Sequence, residues 1–153
     1  MTEHEWQEVE QKVREIAAQT GQQVVKKCIS QLIPARQEVA KTRDRKKAQY
    51  EARKRFLITL FENYRQAQPG SRTRKTVDIL ITTHRDNADS DCWYKVRHNI
   101  LVLRYVVTRP LTDKDICKRM GIRYNSFELA LEKAFSELMV MYYGIEGIYP
   151  DEL

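Results

Sequence analysis

Apolar residues recur every three or four positions along most of the chain, a spacing that is typical of amphipathic helices. In the first 40 residues the stripe consists of Trp6, Val9, Val13, Ile16 and Ala17, followed by Val24, Val25, Cys28, Leu32 and Ile33. Pro34 is expected to end or reset this helix, because proline removes a backbone donor and clashes with the preceding turn. So long a stripe must be covered, either by the rest of the chain or by a second copy of itself. A homodimer is one of these two open possibilities.

The middle of the chain predicts one long helix and a shorter one. Residues 36–66 form the long helix, and one apolar face of it is made by Phe56, Leu57, Leu60, Phe61 and Tyr64. Pro69-Gly70-Ser71 is a turn in which Ser71 is available as a helix cap. Residues 72–85 are β-branched enough for a strand, but no partner strand is visible, so a helix is expected.

A polar connector, DNADSD at residues 86–91, precedes the next predicted helix. It resembles a calcium loop only superficially, because the central glycine and the closing glutamate are missing. The favoured interpretation is an acidic cap for the helix that follows. That helix, about 92–107, has one apolar side formed by Trp93, Val96, Ile100, Leu103 and Val107.

Residues 111–138, LTDKDICKRMGIRYNSFELALEKAFSEL, predict two helices joined by a sharp turn. Thr112 is suited to cap the first helix, with Asp115 completing a capping-box-like pair. Gly121 can make the turn at positive φ without strain. The second helix would bury Phe127, Leu131, Ala134 and Leu138, so its other side is free to face a partner. The layout is that of a helix-turn-helix, although a plain helical hairpin is the alternative.

Helix-turn-helix modules place the start of the second helix in the DNA major groove. Base contacts are expected from Arg123, Tyr124, Asn125 and Glu128, because arginine can pair with guanine, asparagine with adenine, and glutamate can accept from cytosine. Phosphate contacts are expected from Arg109, Lys114, Lys118 and Arg119. The predicted partner is therefore double-stranded DNA.

The distribution of charge favours the same partner. The 153 residues carry a formal net charge of +6. Residues 41–55 hold eight Lys or Arg against two acids, and residues 93–127 hold eight against two, whereas acids outnumber Lys133 from residue 128 onward. Two concentrated basic blocks favour contact with a polyanion. For residues 41–55 the alternatives are a solvated helix face and a contact with RNA polymerase.

Several classes of protein are not expected. Three widely separated cysteines without a CxxC pair, and three histidines that do not cluster with them, argue against a zinc site and for a reducing cytoplasm. The sequence has no apolar run near ~20 residues, and its acidic start is unlike a signal peptide, so no membrane partner is expected. An enzyme and a cofactor are not expected either, because there is no glycine-rich phosphate loop, Cys–His pair or carboxylate cluster.

Together these elements predict an all-α protein. Its expected divisions are a helical region at 1–68, which includes a possible oligomerisation segment and the basic helix 41–55, a connector at 69–91, a helix-turn-helix domain at 92–147 and a tail at 148–153.

Two stretches resemble a known family. Residues 95–138, with the LRY triplet at 103–105, the LTDKDI opening at 111–116 and the trailing LALEKAFSEL, resemble region 4 of sigma factors. They resemble more closely the phage late-gene activators of the autolysin-regulator type (ArpU-like, RinA-like) found in prophages of Gram-positive bacteria. QYEARKRFLITLFENYRQAQ, residues 49–68, is similar to the basic helix of those activators. The resemblance implies a sigma region 4-like DNA-binding domain, activation of late genes and contact with RNA polymerase.

The chain also departs from that family. Arg123 stands where its recognition helix usually begins with Ser or Thr, so Asn125 could cap the helix instead, with Glu128 completing the box. Phe127 replaces a small aliphatic residue, and residues 1–40 match no family. Two other functions therefore stay open: a small terminase-like DNA-packaging protein, and a polymerase-binding factor whose helix pair contacts protein.

Overall fold

The structure, a computed structural model, describes residues 3–87 and 91–149, and within residues 3–36 only some of the side chains. Every regular element in these residues is helical and none is a strand, which confirms the all-α class. The helices are α1 (Glu3–Asn63), α2 (Arg72–Asp86), α3 (Cys92–Leu101), α4 (Asp113–Met120) and α5 (Tyr124–Tyr143). A π-helical turn (Val102–Val106) continues α3, and a 3-10 turn (Gly144–Gly147) follows α5.

Contacts divide the chain into two compact units, Met1–Arg45 and Lys46–Leu153. In the first unit the prediction for Pro34 is wrong, because α1 continues through it. The proline removes a single backbone donor, and the alanine, arginine, glutamine and glutamate after it are mostly strong helix formers. Of the predicted apolar stripe, Ile16 and Val24 are exposed. The side chains of its other members lie outside the described residues.

The main core of the second unit is formed by the end of α1, by α2, by the end of α3 with its π-helical turn, and by α5. Its buried residues are Tyr50, Leu57, Phe61, Val77, Leu80, Leu101, Tyr105, Ala134, Phe135, Leu138 and Met139. The Phe61 ring packs edge-on against Tyr105 and Phe135, with centroids 5.7 and 5.6 Å away. Phe56, expected on the same face of α1, is 47% exposed, so the buried stripe of α1 is narrower than predicted.

A second core joins α3, α4 and α5. Its buried residues are Ile100, Ile116, Phe127 and Ala130, with Val96, Leu103, Leu111, Met120 and Ile122 packed around them. The helices α3, α4 and α5 therefore share one core. Trp93 does not belong to it and is 51% exposed, because the part of α3 that contributes to this core begins at Val96.

The starts of α2 and α3 have the predicted caps. Ser71 caps α2, and Asp91 caps α3 by accepting from the Trp93 amide at 2.9 Å. Residues 88–90 of the acidic connector lie outside the described residues. In the part of the chain that is described, no three His, Cys, Asp or Glu side chains come close enough to hold a metal ion. No helix there combines the length and apolar composition needed to span a membrane.

Candidate nucleic-acid interface

The turn between α4 and α5 is fixed by short-range contacts. Thr112 Oγ1 accepts from the Asp115 amide at 3.2 Å and donates to Asp115 Oδ2 at 2.6 Å, so the predicted pair at the start of α4 is confirmed. Gly121 ends α4 in the left-handed region, at φ 67° and ψ 29°. The amides of Gly121 and Ile122 both donate to the Cys117 carbonyl. Since other residues are strained at this φ, the glycine determines how sharply the chain reverses.

The underside of α5 is held by the second core. Phe127 and Ala130 are buried against Ile116 and Ile100. The Arg104 guanidinium lies over the Phe127 ring, 5.8 Å from its centroid, and forms an ion pair with Asp113 at 3.2 Å. This one side chain therefore connects the π-helical turn to both α4 and α5, which fixes the direction in which the opposite side of α5 points.

That opposite side is what we term the α5 outer face. It consists of Tyr124, Asn125, Glu128, Leu129 and Glu132, all exposed. At 100° per residue these positions span an arc of roughly 140° on the first two to three turns of the helix. The face combines an aromatic ring, an amide, the Glu128 carboxylate and one aliphatic side chain, so it offers hydrogen-bond donors, acceptors and an apolar contact together. Its second carboxylate, Glu132, pairs with Lys54.

Arg123 is exposed and lies immediately before α5, with an extended backbone at φ −76° and ψ 155°. Its side chain forms no capping hydrogen bond, which leaves the first amides of the helix without a side-chain acceptor. The prediction that Asn125 caps the helix is wrong. Because α5 already begins at Tyr124, Asn125 is the second helical residue and its side chain belongs to the α5 outer face.

Tyr124 and Glu128 are close to each other at one edge of this face. The neighbouring Glu128 carboxylate raises the pKa of the Tyr124 phenol above its ordinary value of 10.0. A phenol is protonated at neutral pH even without this shift, so the hydroxyl can donate. The Tyr124 ring is tilted against Phe127, with centroids 6.0 Å apart. Tyr124 is still 53% exposed, so a partner could reach it.

A groove of about 340 Å³ lies beside this edge. Its aromatic lining includes Tyr105, Phe127 and Phe135, and its carboxylates are those of Glu62, Asp113, Glu128 and Glu132. Two cations partly neutralise it: Lys54, which is nearly buried, pairs with Glu132, and Arg104 pairs with Asp113. The groove therefore keeps an excess of negative charge next to residues that were expected to meet DNA.

The cations expected to contact phosphates have a different environment. Arg109, Lys114, Lys118 and Arg119 are exposed, and none pairs with an acidic side chain of the described residues. Lys114 and Lys118 are one turn apart on α4 and therefore share a face. We refer to Lys114, Lys118 and Arg119 as the α4 edge.

Two other cations of the same basic block are already neutralised within the fold. Arg97 pairs with Glu137 at 2.7 Å, and Arg104 pairs with Asp113. The charge that residues 93–127 can offer to a partner is therefore smaller than their sequence suggests.

Leu129 is the member of the α5 outer face that the helical pattern did not single out. It is 72% exposed, and among the described large apolar side chains only Ile145 is more exposed. A signal for it exists in the sequence: Leu129 falls out of phase with the buried positions Phe127, Leu131 and Ala134.

Comparison of the chain with protein-family models, with curated proteins and with solved structures gives no match.

Proposed function

We propose that the chain is a sequence-specific DNA-binding transcription regulator, an activator of phage or prophage late genes, in which α4 and α5 act as a sigma-like helix-turn-helix. One observation carries the proposal. At the start of α5, Tyr124, Asn125 and Glu128 are exposed, whereas the side chain of Phe127, in the same turns, is only 1% exposed. A helix fixed on one side and chemically varied on the other is what major-groove recognition requires.

Phosphate contacts would set the position of the module on the duplex. The α4 edge and Arg109 supply cations that pair with no acidic side chain in the part of the chain that the structure describes. The first amides of α5, which have no side-chain cap, can donate to a phosphate as helix N-termini commonly do. These contacts provide affinity and orientation but no sequence preference.

Base contacts would provide the sequence preference. Asn125 can pair with adenine through two hydrogen bonds, and Arg123 can do so with guanine. Glu128 can accept from cytosine N4, and a carboxylate in this place would also exclude bases that present only acceptors. A single module buries little surface, so a homodimer on two half-sites would increase selectivity.

Selection from a random duplex library, followed by fluorescence anisotropy on the recovered duplex, tests this proposal. We expect one recurrent motif, repeated as two half-sites if the protein binds as a dimer. Replacing Asn125→Ala and Glu128→Ala should weaken binding to that motif by about 1–3 kcal/mol per lost base contact and leave binding to unrelated duplexes unchanged. Enrichment of no motif, or equal loss on all duplexes, would argue against base readout.

The acidic groove favours a second candidate, a factor whose helix pair binds RNA polymerase. Four carboxylates around an aromatic floor suit a basic protein segment better than a phosphate backbone. In that case the chain would bind polymerase without DNA, and Glu128→Ala, at a residue that lines the groove, would weaken that complex instead.

A further inference from the structure

Leu129 is a large apolar side chain that takes no part in either core and is 72% exposed. A single exposed leucine is ordinary on a protein surface. This one, however, lies on the α5 outer face, one turn after Asn125 and directly after Glu128. Its isobutyl group can neither donate nor accept a hydrogen bond, so it contributes nothing to phosphate binding.

The major-groove edges of the four bases carry one apolar group, the 5-methyl of thymine. We propose that Leu129 contacts a thymine methyl and thereby selects thymine at one position of the recognised site. This inference rests on the proposed DNA-binding function. It adds a recognition element that hydrogen bonds cannot supply, because no side-chain donor or acceptor of the face responds to a methyl group.

The helix geometry also indicates where the thymine lies. Residues four apart on one helix face are separated by about 6 Å, and successive base pairs by about 3.4 Å. The thymine should therefore lie within roughly two base pairs of the base that Asn125 contacts. Because Leu129 is out of the core, replacing it should leave the fold intact.

Deoxyuridine provides a sharp test, since it differs from thymidine only by the missing methyl. In the duplex recovered by selection, each thymine is replaced in turn by deoxyuridine, and binding of the full chain is measured by fluorescence anisotropy. For the unmodified protein we expect one replacement near the Asn125 position to weaken binding about four-fold. For Leu129→Ala the same replacement should have no effect, and Leu129→Met should restore the sensitivity.

Ile145→Ala is the matched control, because Ile145 is a similarly exposed aliphatic residue outside the α5 outer face. This variant should keep the full sensitivity to deoxyuridine. If no thymine is sensitive, or if the sensitivity persists in Leu129→Ala, the methyl contact is wrong while the DNA-binding function stands. If selection recovers no duplex at all, both the function and the inference fail.

Discussion

The cations of the second unit occupy two regions that use their charge differently. In the ion-paired seam, basic side chains of α1 and α3 meet acids of α5 or of the 3-10 turn, in the pairs Arg53–Glu146, Lys54–Glu132 and Arg97–Glu137. On the α4 edge, Lys114, Lys118 and Arg119 have no such partner among the described residues. The cations of the seam are neutralised by ion pairs within the fold, whereas those of the α4 edge are available to a polyanion.

This difference explains the reversal of charge along the sequence. The acids after residue 127 look like a separate, repulsive end of the chain. In the structure Glu132, Glu137 and Glu146 instead lie against cations that come much earlier in the sequence. Charge available to a partner therefore has to be counted after internal pairing.

The largest expected effect of breaking the seam is at Arg97. Its ion pair with Glu137 is well shielded, with the two side chains 12% and 15% exposed. Arg97→Ala would leave the Glu137 carboxylate with His84 as its remaining hydrogen-bond partner. We expect a loss of about 3 kcal/mol in the free energy of unfolding, measured by urea denaturation.

Lys95→Ala is the matched control for this substitution. Lys95 lies on the same helix but is exposed, so its replacement should change the free energy of unfolding by less than about 0.5 kcal/mol. Equal losses in the two variants would show that the seam contributes no more to stability than an exposed lysine.

Stability should also depend on pH, through the buried His98 and through Glu137 of the seam. Burial, together with the nearby His84 and Arg85 charges, lowers the pKa of His98 below its ordinary 6.5. The unfolded chain then binds more protons than the folded chain, so stability is lost as the pH falls below about 6.5, by at most about 1.4 kcal/mol per pH unit for one proton.

Protonation of Glu137 also lowers the stability of the fold as the pH falls, but at a lower pH than His98 does. Its burial alone would raise its pKa, but hydrogen bonds from His84 and Arg97 outweigh that effect and hold it below 4.5. The stability that this carboxylate contributes is lost as the pH falls through that range. The other groups near the two histidines are Arg85 on α2 and Tyr94 and Arg97 on α3.

The pH effect is measured from urea midpoints between pH 7.5 and 5. His98→Gln, which cannot be protonated, should flatten the dependence between pH 6.5 and 5. A flat profile in the unmodified protein would contradict the assigned cause, as would an unchanged slope in the variant.

The features that sequence analysis predicted well are local ones. The Thr112 cap and the Gly121 turn depend on residues within four or five positions, so their chemistry can be identified without the fold. Pairing within the seam could not be predicted. Lys54 and Glu132 are 78 positions apart, and Arg97 and Glu137 are 40 apart, so they meet only once the helices have packed.

Which side chains become buried also could not be fully predicted from local sequence. Periodicity placed Phe56 and Trp93 on buried faces, but how wide a face becomes buried depends on which neighbouring helix covers it. For the candidate site, the sequence located the exposed start of α5, whereas the apolar contribution of Leu129 required the structure.

The smallest expected effect separates the two regions most directly, because it concerns cations that form no ion pair with the described residues. Lys118→Ala and Arg119→Ala should each leave the free energy of unfolding within about 0.5 kcal/mol of the original value. If both side chains contact phosphates, each substitution should reduce the slope of log binding constant against log salt concentration by about 0.9. Fluorescence anisotropy between 50 and 200 mM salt, on the selected duplex and on an unrelated one, measures that slope.

Arg53→Ala is the control that makes this measurement a test of the comparison. Arg53 carries the same formal charge, but its guanidinium is held by Glu146 at 2.5 Å and lies over the Tyr143 ring. Its removal should leave the salt slope unchanged, because counterions are released only by cations that neutralise phosphates, and the Arg53 guanidinium is held by Glu146 instead. If Arg53→Ala lowers the slope as much as Lys118→Ala does, the seam also contacts DNA and the two regions share one function.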